Sequence, residues 1–235
     1  MTPDLAIAVP PYRLSGVVYG TLLNDPATLA ALGDAVHAAP YKAPPKAPVL
    51  YLKPRHTQAP SGADVAVPAC GSLEIGATLG LVIGHTACRV SEGDALAHVA
   101  GVLLVADLCL PHAAWYRPSV RLRARDGSCL LGPVVAPAAR VPDPNAVELS
   151  VRVDGEVVQT VRFDGLVRSA SRLLQDVTEF MTLRPGDVLL LGLIAGAPQA
   201  RAGQNFTIEA AGLGALGRLE GRLVAEAADT AEAHP

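Results

Sequence analysis

The clearest alternation of apolar and polar residues lies in VELSVRVDGEVVQTVRF, residues 147–163. Alternation on both sides of Asp154-Gly155 predicts two antiparallel strands joined by a two-residue turn. Continuous apolar runs, LGLVIG, VLLVADL and VLLLGL, instead indicate strands buried on both faces. FTIEA and LGRLEGRLVAE add strands towards the end of the chain. The pattern therefore predicts a large, mostly antiparallel β domain.

Helical spacing of apolar residues is confined to short stretches. DPATLAALGDAVHAA begins with an acid before Pro26, which is typical of a helix start. Ser91 and Asp94 form an S-x-x-D pattern that predicts a capping box opening a second short helix. A third helix is predicted over residues 169–182. Its buried face would carry Leu173, Leu174, Val177, Phe180 and Met181. The expected class is α+β, mainly β, with two or three helices.

The proline-rich stretch YKAPPKAP divides the chain, because its prolines remove amide donors and force extended backbone. We expect residues 1–58 to form a small N-terminal lobe and residues 59–226 to form the β domain. Residues 227–235, rich in alanine and polar residues, are expected to be a frayed tail.

Composition excludes several classes of function. The net charge is −3 and aromatic residues make up 4% of the chain, so no basic or stacking surface for nucleic acid is expected. No apolar stretch reaches a membrane-spanning length, and we expect no membrane association. The four cysteines contain no C-x-x-C pair and are interpreted as separate reduced thiols. Together these features favour a cytoplasmic protein.

Two isolated acids, Glu74 and Asp107, lie beside the apolar strand runs. Carboxylates from two strands are ligands that Mg²⁺ accepts, with water or substrate completing the shell. A capped or ion-paired acid is the alternative interpretation, and the residues alone do not decide between the two.

Cations cluster in the stretch WYRPSVRLRARDG. If the segment is extended, its four arginines share one face: Arg117, Arg121, Arg123 and Arg125. Arginine binds carboxylates in bidentate geometry, so a substrate with several carboxylates is one natural partner. Ion pairs with the chain's own acids, such as Asp126, or with another subunit are equally consistent.

Lys53, which ends the run VLYLK, is either an anion contact at a cleft or a solvated lysine.

Four segments in this order resemble the fumarylacetoacetate hydrolase family. They are YKAPPKAPVLYLKPRHT, ATLGLVIGHTACRVSEGDALAHVAGVLLVADLCLP, YRPSVRLRARDGSCLLGPVV and EFMTLRPGDVLLLG. The likeness spans residues 16–225 approximately. YKAPPK and YRP…RDG are typical of the N-terminal half of its bifunctional isomerase/decarboxylase subgroup. The resemblance implies a mixed β-roll with a small N-terminal lobe, in a dimer or in tandem halves.

The resemblance also implies a chemistry. Family members bind Mg²⁺ or Mn²⁺ through two glutamates in an E-x-E pattern and one aspartate, and the metal acts on 2-oxo acids. Here Gly76 and Thr78 stand at the E-x-E positions, and Asp107 matches the aspartate. Glu74 has the same strand parity as Gly76 but lies about 7 Å farther along, so we do not expect it to replace a ligand. We therefore predict a degenerate metal site with Asp107 as its residual ligand.

Other family positions are carried over in the same way. Lys53 is retained and Arg123 replaces a lysine, so both are candidate catalytic residues. Tyr116, Arg117 and Arg125 are candidate substrate-binding residues. The family's N-terminal lid usually reads N-Y-x-x-H-x-x-E. Aligned at Asn24, this chain carries Asp25, Thr28 and Ala31 in place of the tyrosine, the histidine and the glutamate. LGLIAGAPQ replaces the family's glycine-threonine-proline loop.

These positions suggest a chain of weak or no activity by itself. The expected substrates are oxo-dicarboxylates and oxo-tricarboxylates of 4-hydroxyphenylacetate catabolism. The expected partner is a second copy of the chain or a C-terminal-type paralogous subunit that supplies the complete metal site. Two alternatives remain open at this point: a non-catalytic structural partner, and another family hydrolase such as an acylpyruvate hydrolase.

Overall fold

The computed structural model describes residues 17–113, 115–116 and 120–226. The α-helices among them are α1 (Pro26–Ala31), α2 (Val120–Arg123) and α3 (Ala170–Thr178). The strands are β1 (Val18–Leu22), β2 (Val49–Lys53), β3 (Gln58–Pro60), β4 (Asp64–Val67), β5 (Leu73–Ile83), β6 (Val99–Cys109), β7 (Cys129–Leu131), β8 (Ala136–Pro137), β9 (Glu148–Val153), β10 (Glu156–Arg162), β11 (Val188–Leu190), β12 (Gln199–Ala200), β13 (Asn205–Ala210) and β14 (Arg218–Ala225). Short 3₁₀ helices span Gly33–His37, Arg55–Thr57, Ala95–His98, Ala138–Arg140, Pro144–Ala146 and Gly214–Leu216.

Within the described ranges, the strands form two sheets. The larger has nine strands in the order β2-β1-β11-β5-β6-β7-β3, with β12 also paired to β5 and β8 to β6. The smaller has five strands in the order β10-β9-β13-β14-β4. This mainly β architecture with three short helices confirms the predicted fold class.

The antiparallel strands β5 and β6 form the centre of the larger sheet, and each is eleven residues long. Alternate residues of β5, such as Ile75 and Leu79, are fully buried in a core shared with the smaller sheet and α3. The opposite face of this strand pair is lined by a second apolar cluster that includes Val82 and Val105. The family's metal positions lie on this second face.

The predicted hairpin is confirmed. β9 and β10 are joined by Asp154 and Gly155, whose φ angles of 49° and 88° are left-handed, as a two-residue turn requires. The Asp154 carboxylate accepts hydrogen bonds from the Asn205 backbone and the Gln204 amide, both at 2.9 Å. These bonds tie the turn to the start of β13.

The starts of the first and third predicted helices are correct, whereas the second begins at Ala95, later than its predicted capping box. Asp25 caps α1 and Pro26 opens it. Asp94 donates its backbone N–H to Ser91 Oγ at 3.3 Å, but the helix that follows is a 3₁₀ turn. Ser169 caps α3.

The predicted C-terminal end of the third helix, at residue 182, is wrong. The helix α3 ends at Thr178, and Phe180 is 62% exposed rather than buried with Leu173 and Val177. A reciprocal pair of backbone hydrogen bonds between Leu183 and Ala87 draws the chain away from the helix axis. The spacing of apolar residues in the local sequence gives no indication of this long-range pairing.

The N-terminal strands are hydrogen-bonded into the larger sheet. β1 pairs with β11 in parallel and with β2 in antiparallel fashion. The division at residue 58 therefore stays a prediction, and the predicted frayed tail, residues 227–235, lies outside the described residues. No described helix is both long and apolar enough to cross a membrane.

Candidate functional site

The strand pairing brings the family's three metal positions together. Gly76 on β5 lies directly opposite Asp107 on β6, and Thr78 is two residues farther along β5. Residues at alternate strand positions share a face, so all three point to the same side of the sheet. The alignment of these positions thus corresponds to a real cluster in space.

Cationic and phenolic side chains, however, surround the Asp107 carboxylate. Lys53 Nζ lies 2.5 Å from Asp107 Oδ1, and the Tyr51 hydroxyl donates a hydrogen bond to Oδ2. Arg123 Nη1 is 3.6 Å from the same Oδ2. Burial, together with the charge of Asp107, raises the pKa of Tyr51 well above its ordinary value, so the phenol remains a donor. The protein itself thus neutralises the aspartate.

The environment of Lys53 matches neither of the two alternatives that the sequence suggested. Its side chain is fully buried, neither at a cleft nor in solvent. Besides Asp107, its ammonium donates to the carbonyl oxygens of Leu108 at 3.1 Å and Arg123 at 2.5 Å. The Ser128 hydroxyl lies 3.3 Å from it. A buried ammonium needs such partners, and they hold it at the base of the site.

The two lost ligand positions are filled. A Cβ added to Gly76 would lie 2.6 Å from Leu193 Cδ2 and 2.7 Å from the Asp107 carbonyl oxygen. Thr78 Oγ1 is fully buried and donates to the Gly192 carbonyl at 2.7 Å. Neither position offers an anionic oxygen, and Leu193 occupies the space that a longer side chain at Gly76 would need. The residues present therefore do not fit the Mg²⁺ or Mn²⁺ of the family.

The predicted common face of arginines is not formed, because α2 replaces the expected extended segment. Arg123 is 2% exposed and belongs to the Asp107 cluster, whereas Arg121 is exposed. Arg125 Nη2 instead bonds Glu226 Oε1 at 2.7 Å. Arg117 lies outside the described residues. The three described arginines therefore do not share one face, and the ion pair of Arg125 agrees with the alternative in which these cations pair with the chain's own acids.

The guanidinium of Arg123 lies over two aromatic rings. Its guanidinium carbon lies 4.9 Å from the Tyr51 ring centroid and 5.2 Å from that of Trp115. All three guanidinium nitrogens are buried with no hydrogen-bond partner among the described residues. Beside it lies a cavity of about 350 Å³. Its other lining residues are Leu50, Tyr51, Leu52, Pro54, Val120 and Ala124.

Tyr116 lies apart from this cavity's lining. It is 46% exposed and makes an edge-to-face contact with Tyr41, with ring centroids 5.7 Å apart. The Tyr41 hydroxyl in turn accepts the Trp115 backbone N–H at 2.8 Å. The substrate-binding role of Tyr116 and the catalytic roles of Lys53 and Arg123 stay predictions.

The lid positions carry no proton acceptor directed at the site. The Asp25 carboxylate accepts from the backbone N–H groups of Thr28 and Ala195, at 3.1 and 2.9 Å, and from the Thr28 hydroxyl at 2.8 Å. Thr28 lines a second cavity, of about 150 Å³, together with Glu74 and Trp115. The one carboxylate at the lid is thus committed to capping α1.

Sequence reasoning missed the surroundings of Glu74. This residue pairs with Cys109 across the β5–β6 ladder, and Cys109 Sγ lies 3.5 Å from Glu74 Oε2. His112 contributes a third potential ligand close by. Burial raises the pKa of the Cys109 thiol to about 12. The C-x-x-H spacing of Cys109 and His112 is the one sequence signal that could have indicated this cluster.

Comparison with known proteins agrees with the fold. Residues 17–223 match the model of the fumarylacetoacetate (FAA) hydrolase C-terminal domain. The chain belongs to the fumarylacetoacetate hydrolase family.

Two bacterial relatives are similar to this chain in sequence. The chain is 36% identical to the 4-hydroxyphenylacetate degradation bifunctional isomerase/decarboxylase of Escherichia coli over 188 residues, 80% of this chain and 42% of the relative. It is 35% identical to the protein of the same name from Salmonella dublin over 213 residues, 91% of this chain and 48% of the relative. The chain thus spans about half the length of these curated relatives.

A solved structure extends the comparison. The fumarylpyruvate hydrolase of Pseudomonas aeruginosa, in complex with Mn²⁺ and pyruvate, superposes with a TM-score of 0.73 at 26% identity. The match covers 89% of this chain and 90% of that one. The family therefore includes isomerases, decarboxylases and hydrolases, and at least one member with a bound Mn²⁺.

Proposed function

We propose that this chain is the N-terminal-type half of an isomerase/decarboxylase of 4-hydroxyphenylacetate catabolism in the cytoplasm. In this proposal it binds the oxo-dicarboxylate or oxo-tricarboxylate substrate but performs little or no metal-dependent chemistry by itself. A C-terminal-type paralogous chain supplies the complete metal site. The identity to the bifunctional relatives, of which this chain spans about half, supports the assignment.

The observation that carries the proposal is the occupied metal position. Lys53 neutralises Asp107 at 2.5 Å, and Leu193 fills the space beside Gly76. A dication at this place would have to displace a buried ammonium that holds four further oxygen contacts. That displacement would leave the ammonium buried without its counter-ion.

The position of Arg123 supports the part of the proposal in which this chain still binds the substrate. Its guanidinium is buried beside the 350 Å³ cavity and has donors without partners among the described residues. A guanidinium presents its donors as a planar fork that matches a carboxylate in bidentate geometry. The rings of Tyr51 and Trp115 lie against the guanidinium and restrict its movement, and a substrate carboxylate would have to reach it through this cavity.

The test is an activity assay of the purified chain with Mg²⁺ or Mn²⁺. The substrates are 5-oxopent-3-ene-1,2,5-tricarboxylate for decarboxylation and 2-hydroxyhepta-2,4-diene-1,7-dioate for isomerisation. We expect no turnover above the background rate by the chain alone, and turnover when a C-terminal-type homologue is co-expressed and co-purified. Robust turnover without the partner would contradict the proposal.

A non-catalytic structural partner is the second candidate, because the filled metal position suits it equally well. Calorimetry with the tricarboxylate separates the two. Binding that depends on Arg123 favours the proposed half-enzyme. Absence of binding to the chain and to its complex favours the structural partner.

A further inference from the structure

Glu74, Cys109 and His112 form a cluster of potential metal ligands next to the filled family site. Each contributes a possible ligand atom, and these atoms all lie within 4.8 Å of one another. Cys109 is buried and the other two side chains are half-buried. The cluster combines a carboxylate, a thiol and an imidazole, which is a different ligand set from the all-carboxylate set of the family.

The strand ladder sets the distance between the first two ligands. Glu74 and Cys109 are direct partners in the β5–β6 register. They form the next pair after Gly76 and Asp107 on the same face of the sheet, two residues away along each strand. Their ligand atoms lie 3.5 Å apart. A tetrahedral zinc ion with a sulfur ligand at about 2.3 Å and an oxygen ligand at about 2.0 Å separates those two atoms by about 3.5 Å. Both ligands can therefore bind one ion without a movement of the strands.

His112 follows Cys109 by three residues, just after β6 ends. Its Nδ1 lies 2.8 Å from the Leu110 carbonyl oxygen. A carbonyl oxygen only accepts, so Nδ1 carries the proton and donates it, which leaves the Nε2 lone pair available. Metal-binding histidines commonly hold their second nitrogen in this way, because the bond fixes both the tautomer and the ring orientation.

The ligand set selects the class of ion. Thiolate and imidazole ligands favour Zn²⁺ and similar transition-metal ions over Mg²⁺, which prefers oxygen ligands. Three protein ligands leave a fourth tetrahedral position for water or a substrate oxygen. Glu74 also lines the 150 Å³ cavity, together with Thr28 and Trp115, so there is open space beside one of the three ligands.

We propose that Glu74, Cys109 and His112 bind one zinc-class divalent cation, displaced by one strand repeat from the position where the family holds its metal. Nearby, Lys53 and Arg123 carry two positive charges against the single negative charge of Asp107. This excess makes the proposed site weaker than a closed structural zinc site. The proposal does not depend on the proposed function.

The experiment is a Co²⁺ titration of the tag-free full chain in which the exposed Cys70 and Cys88 are replaced by serine. We expect one equivalent of Co²⁺ to produce a thiolate-to-metal charge-transfer absorption. It should also quench Trp115, the single tryptophan, whose ring lies 5.2 Å from that of His112. Zn²⁺ should displace Co²⁺, whereas a large excess of Mg²⁺ should not.

Variants assign the ligands. Cys109→Ser should abolish the absorption, and Cys129→Ala, which removes the other buried thiol, should preserve it. Glu74→Gln and His112→Gln should each weaken Co²⁺ binding by roughly tenfold or more, since loss of even a supporting contact typically costs that much. Circular dichroism establishes that each variant is folded.

Three results would overturn the proposal. The first is a folded parent chain that gives no charge-transfer absorption. The second is an absorption that survives Cys109→Ser. The third is unchanged affinity in both Glu74→Gln and His112→Gln, and this pair decides the matter if Cys109→Ser does not fold.

Discussion

Lys53 Nζ lies 2.5 Å from Asp107 Oδ1, and both side chains are fully buried. The ammonium thus binds the carboxylate that the resemblance predicts as the remaining metal ligand. Lys53, Arg123 and the Tyr51 hydroxyl together neutralise this carboxylate. The buried ion pair has energetic consequences that can be measured.

Replacing Lys53 by methionine should lower the free energy of unfolding by about 3–5 kcal/mol, because Asp107 then loses its nearest buried counter-charge. Urea denaturation of the variant and the parent measures this difference. The matched control is Lys46→Met, at an exposed lysine, which should change stability by less than about 0.5 kcal/mol. Similar stability of both variants would show that the buried pair contributes no net stabilisation.

Gly76→Ala should destabilise the chain by about 1–3 kcal/mol, since the added methyl group meets both Leu193 and the Asp107 carbonyl. Gly165→Ala is the control, because no atom lies within 4 Å of a Cβ built there. Combining Gly76→Ala with Leu193→Ala should recover part of the loss, giving a double-mutant cycle with a non-zero coupling energy. Strict additivity of the two free energies would contradict the proposed contact.

The sequence predicted those parts of the molecule that depend on local pattern. β5, β6 and the hairpin at Asp154-Gly155 follow from apolar runs, alternation and turn chemistry. The structure pairs Gly76 with Asp107, two positions that the resemblance assigns to one metal site. Elements with a local sequence pattern, and positions that could be aligned with the family, were therefore predictable from the sequence.

The rest of the site depends on contacts between distant segments. Burial of Lys53 requires carbonyl oxygens from β6 and from the end of α2, which no local window contains. The surroundings of Arg123 were missed because the ring of Tyr51 lies on β2, far from Arg123 in the sequence. The contact of Glu74 with Cys109 depends on the strand register, which the sequence does not state.

Arg123→Lys should weaken binding of a 2-oxo dicarboxylate such as 2-oxoglutarate by roughly 10-fold to 100-fold. Lysine keeps the charge near Asp107 but loses the bidentate fork, and charge-assisted hydrogen bonds are worth about 1.5–3 kcal/mol. Isothermal titration calorimetry measures the effect. Arg121→Lys, at an exposed arginine that does not line the same cavity, serves as control and should bind like the parent. Equal affinity of both variants would remove Arg123 from the proposed substrate contact.

The buried thiol of Cys129 should make the free energy of unfolding fall as the pH becomes alkaline. Burial raises the pKa of its thiol from 9.0 to about 12. In the unfolded chain the thiol ionises near pH 9, so its contribution to stability is complete below that pH and is lost as the pH rises through about 12. The urea midpoint of the parent should therefore fall between pH 9 and pH 11, and Cys129→Ala should show a shallower fall.

Slopes rather than absolute midpoints are compared, because the substitution also leaves a small cavity. The exposed Cys70→Ala should keep the parental slope, and an identical slope in Cys129→Ala would mean that this thiol is not the source of the pH dependence.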